Sequence, residues 1–494
     1  MNAPTAPIHG ISDPSQGPRS PSAVGHGVSH QFKHNADLAL GDAKLQQALA
    51  EMRSSFRGRH DAARKALPEF KALSDHAKAI KQHVLAHLDY YLERFETKVK
   101  EAGGQVHWCN DAAEARDRVL AICRAAGART VTKGKTMVGE EIAINAHLEA
   151  HGILPVETDL GEYIIQLRGE TPSHIIAPAI HVSKEGVADT FRAHHTDLDP
   201  ARPLAEIPAM LAEARGKLRA RFLAADVGIT GANFLIAETG SSVIVTNEGN
   251  GDLTQTLPKI HIVLAGIEKL VPTLEDATAI FRVLARSATG QEMSVYTTVS
   301  TGPRRSHDLD GPAEYHVILL DNGRSAVLGT EFEDMLRCIR CGACMDHCPV
   351  YHAIGGHAYG SVYPGPIGAV LTPALFGLEQ SRDLPNASTL CGRCESVCPM
   401  QIPLPKMLRQ WRERSFERHL PPARERWGLK AWAWLARHPR LYRLAMATAA
   451  RLLRRPATGR IRHLPLGGAW TATRDFPATT GRTFQEQWRR RSRP

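Results

Sequence analysis

Seven of the nine cysteines lie in one short part of the chain and have the spacing of metal ligands. The first run reads C-x2-C-x2-C-x3-C-P and comprises Cys338, Cys341, Cys344 and Cys348. Three thiolates at this spacing can each approach a different iron of one cubane, and in two-cluster ferredoxins the fourth cysteine ligates the other cluster. The run therefore predicts iron–sulfur chemistry.

A second run, Cys391, Cys394 and Cys398 before a proline, has Ser388 at the position of a first cysteine. If its last cysteine also crosses to the other cluster, two ligand sets follow. They are Cys338, Cys341, Cys344 and Cys398 for cluster 1, and Cys348, Cys391 and Cys394 for cluster 2. We expect [4Fe–4S] for cluster 1 and [4Fe–4S] or [3Fe–4S] for cluster 2, because cluster 2 has three thiolates. Its fourth iron position is then empty, hydrated or held by an oxygen ligand such as Ser388.

Zinc is the main alternative to iron. A structural zinc site usually holds one tetrahedral ion between two C-x2-C pairs, and two proline-terminated runs do not match that arrangement. The remaining Cys109 and Cys123 lie far from both runs in apolar or helical segments, and we expect them to be buried packing residues. Clustered thiols in a chain without a secretory signal favour metal binding over disulfides.

The chain around the cysteines divides by composition and periodicity. Low hydrophobicity predicts disorder, apolar residues at three- and four-residue spacing predict helix, and short apolar runs between helices predict an α/β sheet. The predicted parts are a disordered N-terminus (1–35), a helical region (36–102), an α/β domain (103–330), a helical ferredoxin-like 4Fe–4S domain (331–410) and a basic Trp- and Arg-rich extension (411–494). We expect a Rossmann-like sheet with a more antiparallel insertion near 229–265.

Some boundaries inside the α/β domain can be predicted from capping residues. "GGQVHWCN" predicts a strand, and the following helix should begin near Asp111 and end at Gly127. "VGEEIAINAHLEAHG" predicts one helix, and "ILPVETDLGEYIIQL" predicts a strand that leaves into a loop. In the basic extension we expect helix to about residue 455 and loop-like structure beyond it.

Other segments carry polar side chains without a specific motif. Lys133 and Lys135 flank a glycine just before a predicted helix start, where an anion could bind, although the P-loop pattern is absent. Further polar residues, which are equally well explained as turn formers or as ordinary core and surface groups, are Glu157, Asp159, Glu162, His174, His181, Glu238 and Glu248. No catalytic residue is predicted.

The net charge of +10 is concentrated at one end. Residues 401–494 hold 22 Lys and Arg against 5 Asp and Glu, and six of the seven tryptophans. Arg with Trp suits an acidic partner protein or an anionic membrane surface, and a solvated helical face is the plain alternative. Nucleic acid ranks last because no nucleic-acid module is recognisable.

Without an apolar run long enough to span a membrane, a cytoplasmic location is expected, with peripheral contact at the inner membrane face left open.

Several stretches together resemble a known family. These are "GEYIIQLRGETPSHIIAPAIH", "GITGANFLIAETGSSVIVTNEGNGDLTQTLPKIHIV" and the two cysteine runs, in this order. They resemble the LutB family, the iron–sulfur subunits of the bacterial L-lactate utilisation system. The cysteine segment with its flanking helices also resembles the helical ferredoxin domain of heterodisulfide-reductase-type subunits.

The resemblance implies more than the residues do. It implies a LUD domain similar in fold to the NagB/RpiA/CoA-transferase group, and two partners: a cysteine-rich subunit similar to heterodisulfide reductase and a LUD-only subunit. Together they would oxidise L-lactate to pyruvate while this subunit passes electrons. A second run with three cysteines would then be normal. In the CoA-transferase branch of that fold a Glu beside an Asn–Gly turn is used, which makes Glu248 a speculative site.

Three functions from different classes follow. The first is an electron-transfer subunit without a complete active site of its own. The second is an enzyme whose α/β domain binds a small carboxylate or a CoA- or folate-like ligand, with the clusters as redox partner. The third is a regulatory iron–sulfur protein that binds nucleic acid.

Overall fold

A computed structural model of the chain describes residues 29–454, 459–464, 467–472 and 474–491. It contains two compact units, Met1–Arg414 and Ser415–Pro494. The disorder predicted for residues 1–28 lies outside the described residues. From Ser29 the chain forms a short 3-10 turn, so regular structure begins inside the stretch predicted to lack it.

Four helices open the first unit. They are α1 (Phe32–Gly41), α2 (Ala43–Lys65), α3 (Phe70–Ala86) and α4 (Leu88–Glu101). Asp42 caps α2, since its carboxylate accepts from the backbone N–H groups of Lys44 and Leu45. The buried face of α4 recurs at helical spacing and packs on the sheet that follows.

Strands then alternate with helices. In chain order these elements are β1 (Gln105–Cys109), α5 (Ala112–Ala125), β2 (Thr130–Gly134), α6 (Met137–Glu141), α7 (Ile144–Ala150), β3 (Leu154–Glu157), α8 (Leu160–Arg168), α9 (Lys184–His194), α10 (Ile207–Ala224), β4 (Val227–Thr230), β5 (Phe234–Ile236), β6 (Ser241–Thr246), α11 (Asn250–Thr256), β7 (Ile260–Gly266), β8 (Leu270–Val271), α12 (Leu274–Ala288), β9 (Tyr296–Ser300) and β10 (Glu314–Leu320).

The main sheet has six parallel strands in the order β1-β10-β7-β4-β2-β3. The expected parallel α/β character is confirmed. The order differs from the 3-2-1-4-5-6 order of dinucleotide-binding sheets, because β1 lies at an edge. The chain leaves β2 to form β3 on one side and returns to form β4 on the other. The strand order therefore reverses between β2 and β4.

Both faces of this sheet are covered. Strand β7 is buried along its whole length, which explains its continuous apolar run. One face packs against α5 and α7, and the other against α4. Helix α4 thus belongs to the α/β layers.

A second sheet has four strands in the order β8-β5-β6-β9. Strand β6 pairs antiparallel with both β5 and β9, and β5 pairs parallel with β8. The predicted antiparallel insertion is present. Its window was misplaced, because β4 and β7 at the two ends of 229–265 belong to the parallel sheet.

The cysteine segment is built from short helices. They are α13 (Ala343–Asp346), α14 (Tyr351–Ile354), α15 (Gly365–Phe376), α16 (Arg393–Ser396) and the longer α17 (Leu404–Glu417). Trp411 of α17 stacks on Phe332 with ring centroids 3.9 Å apart, and its indole N–H donates to the carbonyl of Val370 over 3.0 Å. This contact fixes the part of α17 that belongs to the first unit.

The second unit comprises α18 (Ala423–Ala436), α19 (Pro439–Leu452), β11 (Arg460–Ile461), α20 (Gly468–Thr471), β12 (Phe476–Pro477) and α21 (Phe484–Arg491). The prediction of loop-like structure after residue 455 is wrong near the end of the chain, where helix α21 forms. Five tryptophans are at least half exposed, namely Trp427, Trp432, Trp434, Trp470 and Trp488. Across the described residues of both units, no helix is long and apolar enough to cross a membrane.

A buried ion network lies at one edge of the parallel sheet. The guanidinium of Arg324 is 2.7 Å from a carboxylate oxygen of Glu141 and 2.8 Å from one of Glu268. Tyr363 donates to Glu141 over 2.6 Å. Burial alone would raise the pKa of Glu268, but Arg324 holds it at about 2.

We expect Arg324→Met to lower the free energy of unfolding by about 3–5 kcal/mol, because it leaves two buried carboxylates without their shared cation. Urea unfolding followed by circular dichroism measures this. The matched control is Arg409→Met, which removes an exposed ion pair with Glu413 and should cost less than about 1 kcal/mol. Equal effects of the two substitutions would contradict the role given to Arg324.

Candidate iron–sulfur site

The first cysteine run is a tight loop followed by one turn of helix. Arg340 and Gly342 both have left-handed backbone conformations, with φ of 59° and 76°. Gly342 begins α13, and a Cβ there would stand 3.3 Å from the ring of His174. Glycine is therefore favoured twice, by its φ and by this close approach.

The second run repeats this conformation. Leu390 and Gly392 have φ of 54° and 80°, and Gly392 begins α16 as Gly342 begins α13. The backbone N–H of Arg340 donates to the sulfur of Cys338 over 3.4 Å.

Ser388 occupies the place of the missing cysteine. The backbone N–H of Leu390 donates to the Ser388 hydroxyl oxygen over 3.1 Å, as that of Arg340 does to the sulfur of Cys338. Both the register of the two loops and this hydrogen bond make Ser388 the local counterpart of Cys338.

Four cysteines from both runs line one small cavity. These are Cys338, Cys341, Cys344 and Cys398. The rest of its wall is mostly apolar, with one charged side chain, and comes from Ile175, Ile339, Arg340, Gly342, Ile367, Pro399, Met400, Ile402 and Leu404. An apolar wall with thiols converging on it excludes water from a bound redox group and so influences its potential. Backbone N–H groups reach these sulfurs as well, since Ile402 donates to Cys398 over 3.5 Å.

The other three cysteines also influence one another. Burial raises the pKa of Cys394 to about 12, and the neighbouring thiol of Cys348 contributes before that of Cys391. Cys391 is exposed, and the backbone N–H of Arg393 holds its pKa below the usual value. The structure therefore brings Cys348 to the second run and Cys398 to the first.

Burial and neighbouring thiols favour the protonated form of Cys341, Cys344 and Cys398. Burial raises the pKa of Cys341 well above its usual value, and the thiols of Cys398 and Cys338 add to the shift. The same holds for Cys344, which also senses Cys394 of the other group. Buried thiolates that repel one another need a cation to balance them, and a coordinated metal removes their protons. The donor set fits iron in these respects.

Among the described residues, no three His, Cys, Asp or Glu side chains are arranged to hold a single metal ion. Ligands of one zinc ion lie about 2.3 Å from a common centre when they are cysteines. Cysteines that each hold a different corner of a cubane stand farther apart. The arrangement is compatible with clusters in this respect.

Residues of the α/β part hold the first loop in place. His174 lies 3.0 Å from the carboxylate of Asp346, and both are fully buried. The hydroxyl of Tyr351 donates to the carbonyl of Ser173 over 2.7 Å. His174 is thus explained as a contact between the sheet side and α13.

Cys109 and Cys123 are packing residues, as predicted. Both are buried in the core on one face of the parallel sheet. Burial raises the pKa of Cys109 to about 11 and that of Cys123 to about 12.

The remaining polar residues mostly pair with one another. Lys133 is fully buried and lies 2.6 Å from Glu140 and 2.7 Å from Glu157, which makes it a structural cation. Lys135 contacts Asp159. His181 bonds Glu170 and Ser173, and Glu238 is exposed. The speculative site at Glu248 has a side chain that is 61% exposed and 3.7 Å from Lys135.

Comparison with known proteins assigns families to three segments. The LUD domain matches residues 92–320, the 4Fe-4S dicluster domain matches 334–402, and the C-terminal family of lactate utilisation protein B matches 395–493.

Curated relatives match nearly the whole chain. Lactate utilization protein B of Macrococcus caseolyticus is 42% identical over 462 residues, which cover 92% of this chain and 96% of the relative. That of Anoxybacillus flavithermus is 42% identical over 466 residues, covering 93% and 98%. The chain belongs to the lactate utilization protein B family. A further relative, 40% identical over 93% of this chain and 96% of its own, is the "Uncharacterized electron transport protein YkgF" of Escherichia coli. All seven clustered cysteines fall within the dicluster match, so the chain has a domain of the iron–sulfur type.

Proposed function

We propose that this chain is the iron–sulfur electron-transfer subunit of an L-lactate-oxidising complex that forms pyruvate. The observation that carries the proposal is the pair of cysteine groups in a dicluster domain, packed against an α/β domain, in a chain whose relatives are named for lactate utilisation and electron transport. Iron–sulfur clusters supply one-electron acceptance and donation when bound. The oxidation of lactate to pyruvate releases two electrons, which two clusters can hold.

The proposed ligands of cluster 1, a [4Fe–4S] cluster, are Cys338, Cys341, Cys344 and Cys398. Their common cavity and the mutual influence of their thiols support this set. The proposed cysteine ligands of cluster 2 are Cys348, Cys391 and Cys394, whose thiols likewise influence one another.

Ser388 is proposed as the fourth ligand of cluster 2, which makes that cluster [4Fe–4S] as well. The support is its equivalence to Cys338, in loop conformation and in the hydrogen bond its oxygen accepts. In the first loop this position is Cys338, a proposed ligand of cluster 1. In the second loop it is Ser388, the proposed ligand of cluster 2.

The partners proposed are a cysteine-rich subunit similar to heterodisulfide reductase and a LUD-only subunit. Cys391 is the one exposed cysteine among the seven, so cluster 2 is open to another protein at that ligand. The second unit adds exposed tryptophans among many arginines, a surface suited to an acidic partner or to the inner face of an anionic membrane. This location and these contacts remain predictions.

Single alanine substitutions test the two ligand sets. We expect Cys398→Ala and Cys341→Ala to lose the same cluster signal, and Cys348→Ala to lose the other, because the last cysteine of each run crosses to the opposite set. Electron paramagnetic resonance of the anaerobically purified variants, with iron and acid-labile sulfide analysis, measures this. Cys123→Ala is the control and should leave both signals intact. If Cys348→Ala matched Cys341→Ala, each run would hold its own cluster and the sets would be wrong.

Substitutions at Ser388 test the oxygen ligand. Ser388→Ala should convert cluster 2 to [3Fe–4S], because one iron loses its only protein ligand, while Ser388→Cys should keep four irons with altered spectra. Mössbauer and electron paramagnetic resonance spectroscopy distinguish these forms. Ser396→Ala is the matched control, since this serine bonds only a backbone carbonyl among its described contacts. Identical spectra for Ser388→Ala and the unmodified protein would exclude serine ligation.

The function itself is tested by lactate-dependent reduction. The chain co-purified with both proposed partners should show cluster reduction when L-lactate is added without oxygen, and the chain alone should not. Absorbance bleaching and paramagnetic resonance measure the reduction. Reduction of the isolated chain by L-lactate would contradict the electron-transfer role and favour an active site within this subunit. No reduction in the assembled complex would reject lactate as its electron source.

A further inference from the structure

A cavity opens at the carboxyl edge of the parallel sheet, where the strand order reverses between β2 and β4. It is called the switch-point cavity here, and its wall includes Lys135, Asp159, Ala232, Glu268, Lys269 and Arg340. These residues come from the segments that follow β2, β3, β4 and β7, and from the first cysteine loop. In open α/β sheets this crevice is the usual place for a ligand.

Two loops that line the cavity approach each other closely at Gly231. Gly231 follows β4, and a Cβ on it would lie 2.4 Å from the carbonyl oxygen of Lys135 after β2. The absence of a side chain lets the two loops touch, which keeps the cavity open above them. Its volume is about 210 Å³. This is below the usual range for sites of drug-sized ligands, about 300–1,000 Å³, so a CoA- or folate-like molecule fits poorly.

Lys269 is a buried cation that is influenced by the carboxylate of the neighbouring Glu268 but forms no ion pair with it. Its side chain is more than nine-tenths buried, and no described residue forms a hydrogen bond or an ion pair with its ammonium group. Burial lowers its pKa to about 8, so the group is mostly protonated at neutral pH. An ammonium in this state normally has acceptors, because burying it without them is costly.

Arg340 carries a second unmet donor, and its side chain lines both the switch-point cavity and the cavity of the first cysteine group. Its Nη1 is buried without a hydrogen-bond partner, and its Nη2 is 3.7 Å from Glu268, longer than a hydrogen bond. The guanidinium lies 4.5 Å above the ring of Tyr363, which fixes its plane. Negative charge on the sulfur of Cys338 would offset part of the local positive charge. No sulfur among the described contacts, however, accepts a hydrogen bond from Lys269.

The rest of the wall limits the chemistry of a ligand. Apolar side chains, including Val138, Leu264 and Leu284, line one part of it. Thr246, Asn247 and Glu248 line another part and bring polar atoms that can bond a hydroxyl or carbonyl group. A molecule with one carboxylate, a short carbon chain and an adjacent oxygen would match these three kinds of wall.

We propose that the switch-point cavity binds a small carboxylate of the 2-hydroxy- or 2-oxo-acid class through Lys269 and Arg340. The choice of a 2-hydroxy or 2-oxo acid rests on the proposed function. The expectation that the cavity binds an anion rests only on the unpaired donors of Lys269 and Arg340. Arg340 lies between Cys338 and Cys341, so the bound carboxylate is held beside the first cysteine loop. Only binding is assigned to this chain.

Isothermal titration of the purified holoprotein with pyruvate and with L-lactate tests the proposal. We expect saturable binding of at least one acid, weakened at least about tenfold in Lys269→Met because one charged donor is lost. Binding in Lys217→Met, whose lysine pairs with Asp197 outside the cavity, should be unchanged. Lys269→Met should also fold with an unchanged or raised melting temperature and a normal iron content, since the lysine it removes forms no hydrogen bond or ion pair with a described residue.

Other outcomes would overturn the proposal. They are no binding of either acid, equal binding in Lys269→Met and the unmodified protein, or inorganic phosphate bound as tightly as the acids. Should Lys269→Met not fold, Lys269→Arg replaces it, because it retains the charge but changes the donor geometry and should alter affinity. Failure of this site would leave lactate-dependent cluster reduction in the complex intact. Failure of the proposed function would leave binding to the isolated chain intact.

Discussion

The buried guanidinium of Arg324 joins the parts of the first unit on which both sites depend. It pairs with Glu141 at the end of α6 and with Glu268 just after β7. Glu141 in turn accepts from Tyr363 of the cysteine segment. The sheet edge and the cysteine segment are therefore fixed to each other by one network. Because its members are almost fully buried, a partner that is removed leaves a costly unpaired charge or polar group behind.

The two cysteine loops have the same local conformation. At their first position one has the sulfur of Cys338 and the other the hydroxyl oxygen of Ser388. Arg340 and Leu390 adopt left-handed conformations at equivalent positions, and non-glycine residues there cost about 1–3 kcal/mol. The same strain in both loops indicates that both must turn equally tightly around their contents. Replacing sulfur by oxygen at Ser388 keeps the backbone hydrogen bond that the loop needs. The loop with three cysteines is thus a complete structural copy of the loop with four.

Local signals in the sequence predicted much of the fold. Asp111 caps α5 and Gly127 follows it with φ of 62°, as expected. The single helix expected after β2 is instead two, because Ala143 takes a left-handed conformation between α6 and α7. The predicted loop after β3 is wrong, since α8 begins there with Asp159 as its cap. Asp159 with Glu162 three residues later resembles a capping box, and this signal could have been used.

The features that could not be predicted from the sequence depend on contacts between distant segments. The edge position of β1 and the reversal between β2 and β4 follow from the pairing of whole strands, which local periodicity does not encode. The ligand sets stay a prediction, which the cysteine spacing supplies through a known crossover rule. The pairing of Lys269 with Arg340 could not be predicted. Lys269 belongs to no motif, the cysteine motif does not specify the residue at position 340, and the two meet only when the loop after β7 approaches the first cysteine loop.

The distribution of charge explains why these features occur together. Buried cations near the first cysteine group include Lys81, Lys269, Arg337 and Arg340. Burial lowers the pKa of the first three, and a thiolate charge on Cys338 or Cys398 offsets part of that shift; at Arg340 burial is outweighed, and the pKa is raised, with Tyr363 and Cys338 among the causes. Around the second group, Arg393 lies beside the exposed Cys391. Cations offset the negative charge that an added electron would bring, while burial opposes that charge. The first group can thus accept charge in a buried position next to the sheet, and the second group can exchange it at the surface. A carboxylate held by Lys269 and Arg340 would use two of the same cations, so its binding and the charge on the first group must oppose each other through shared partners.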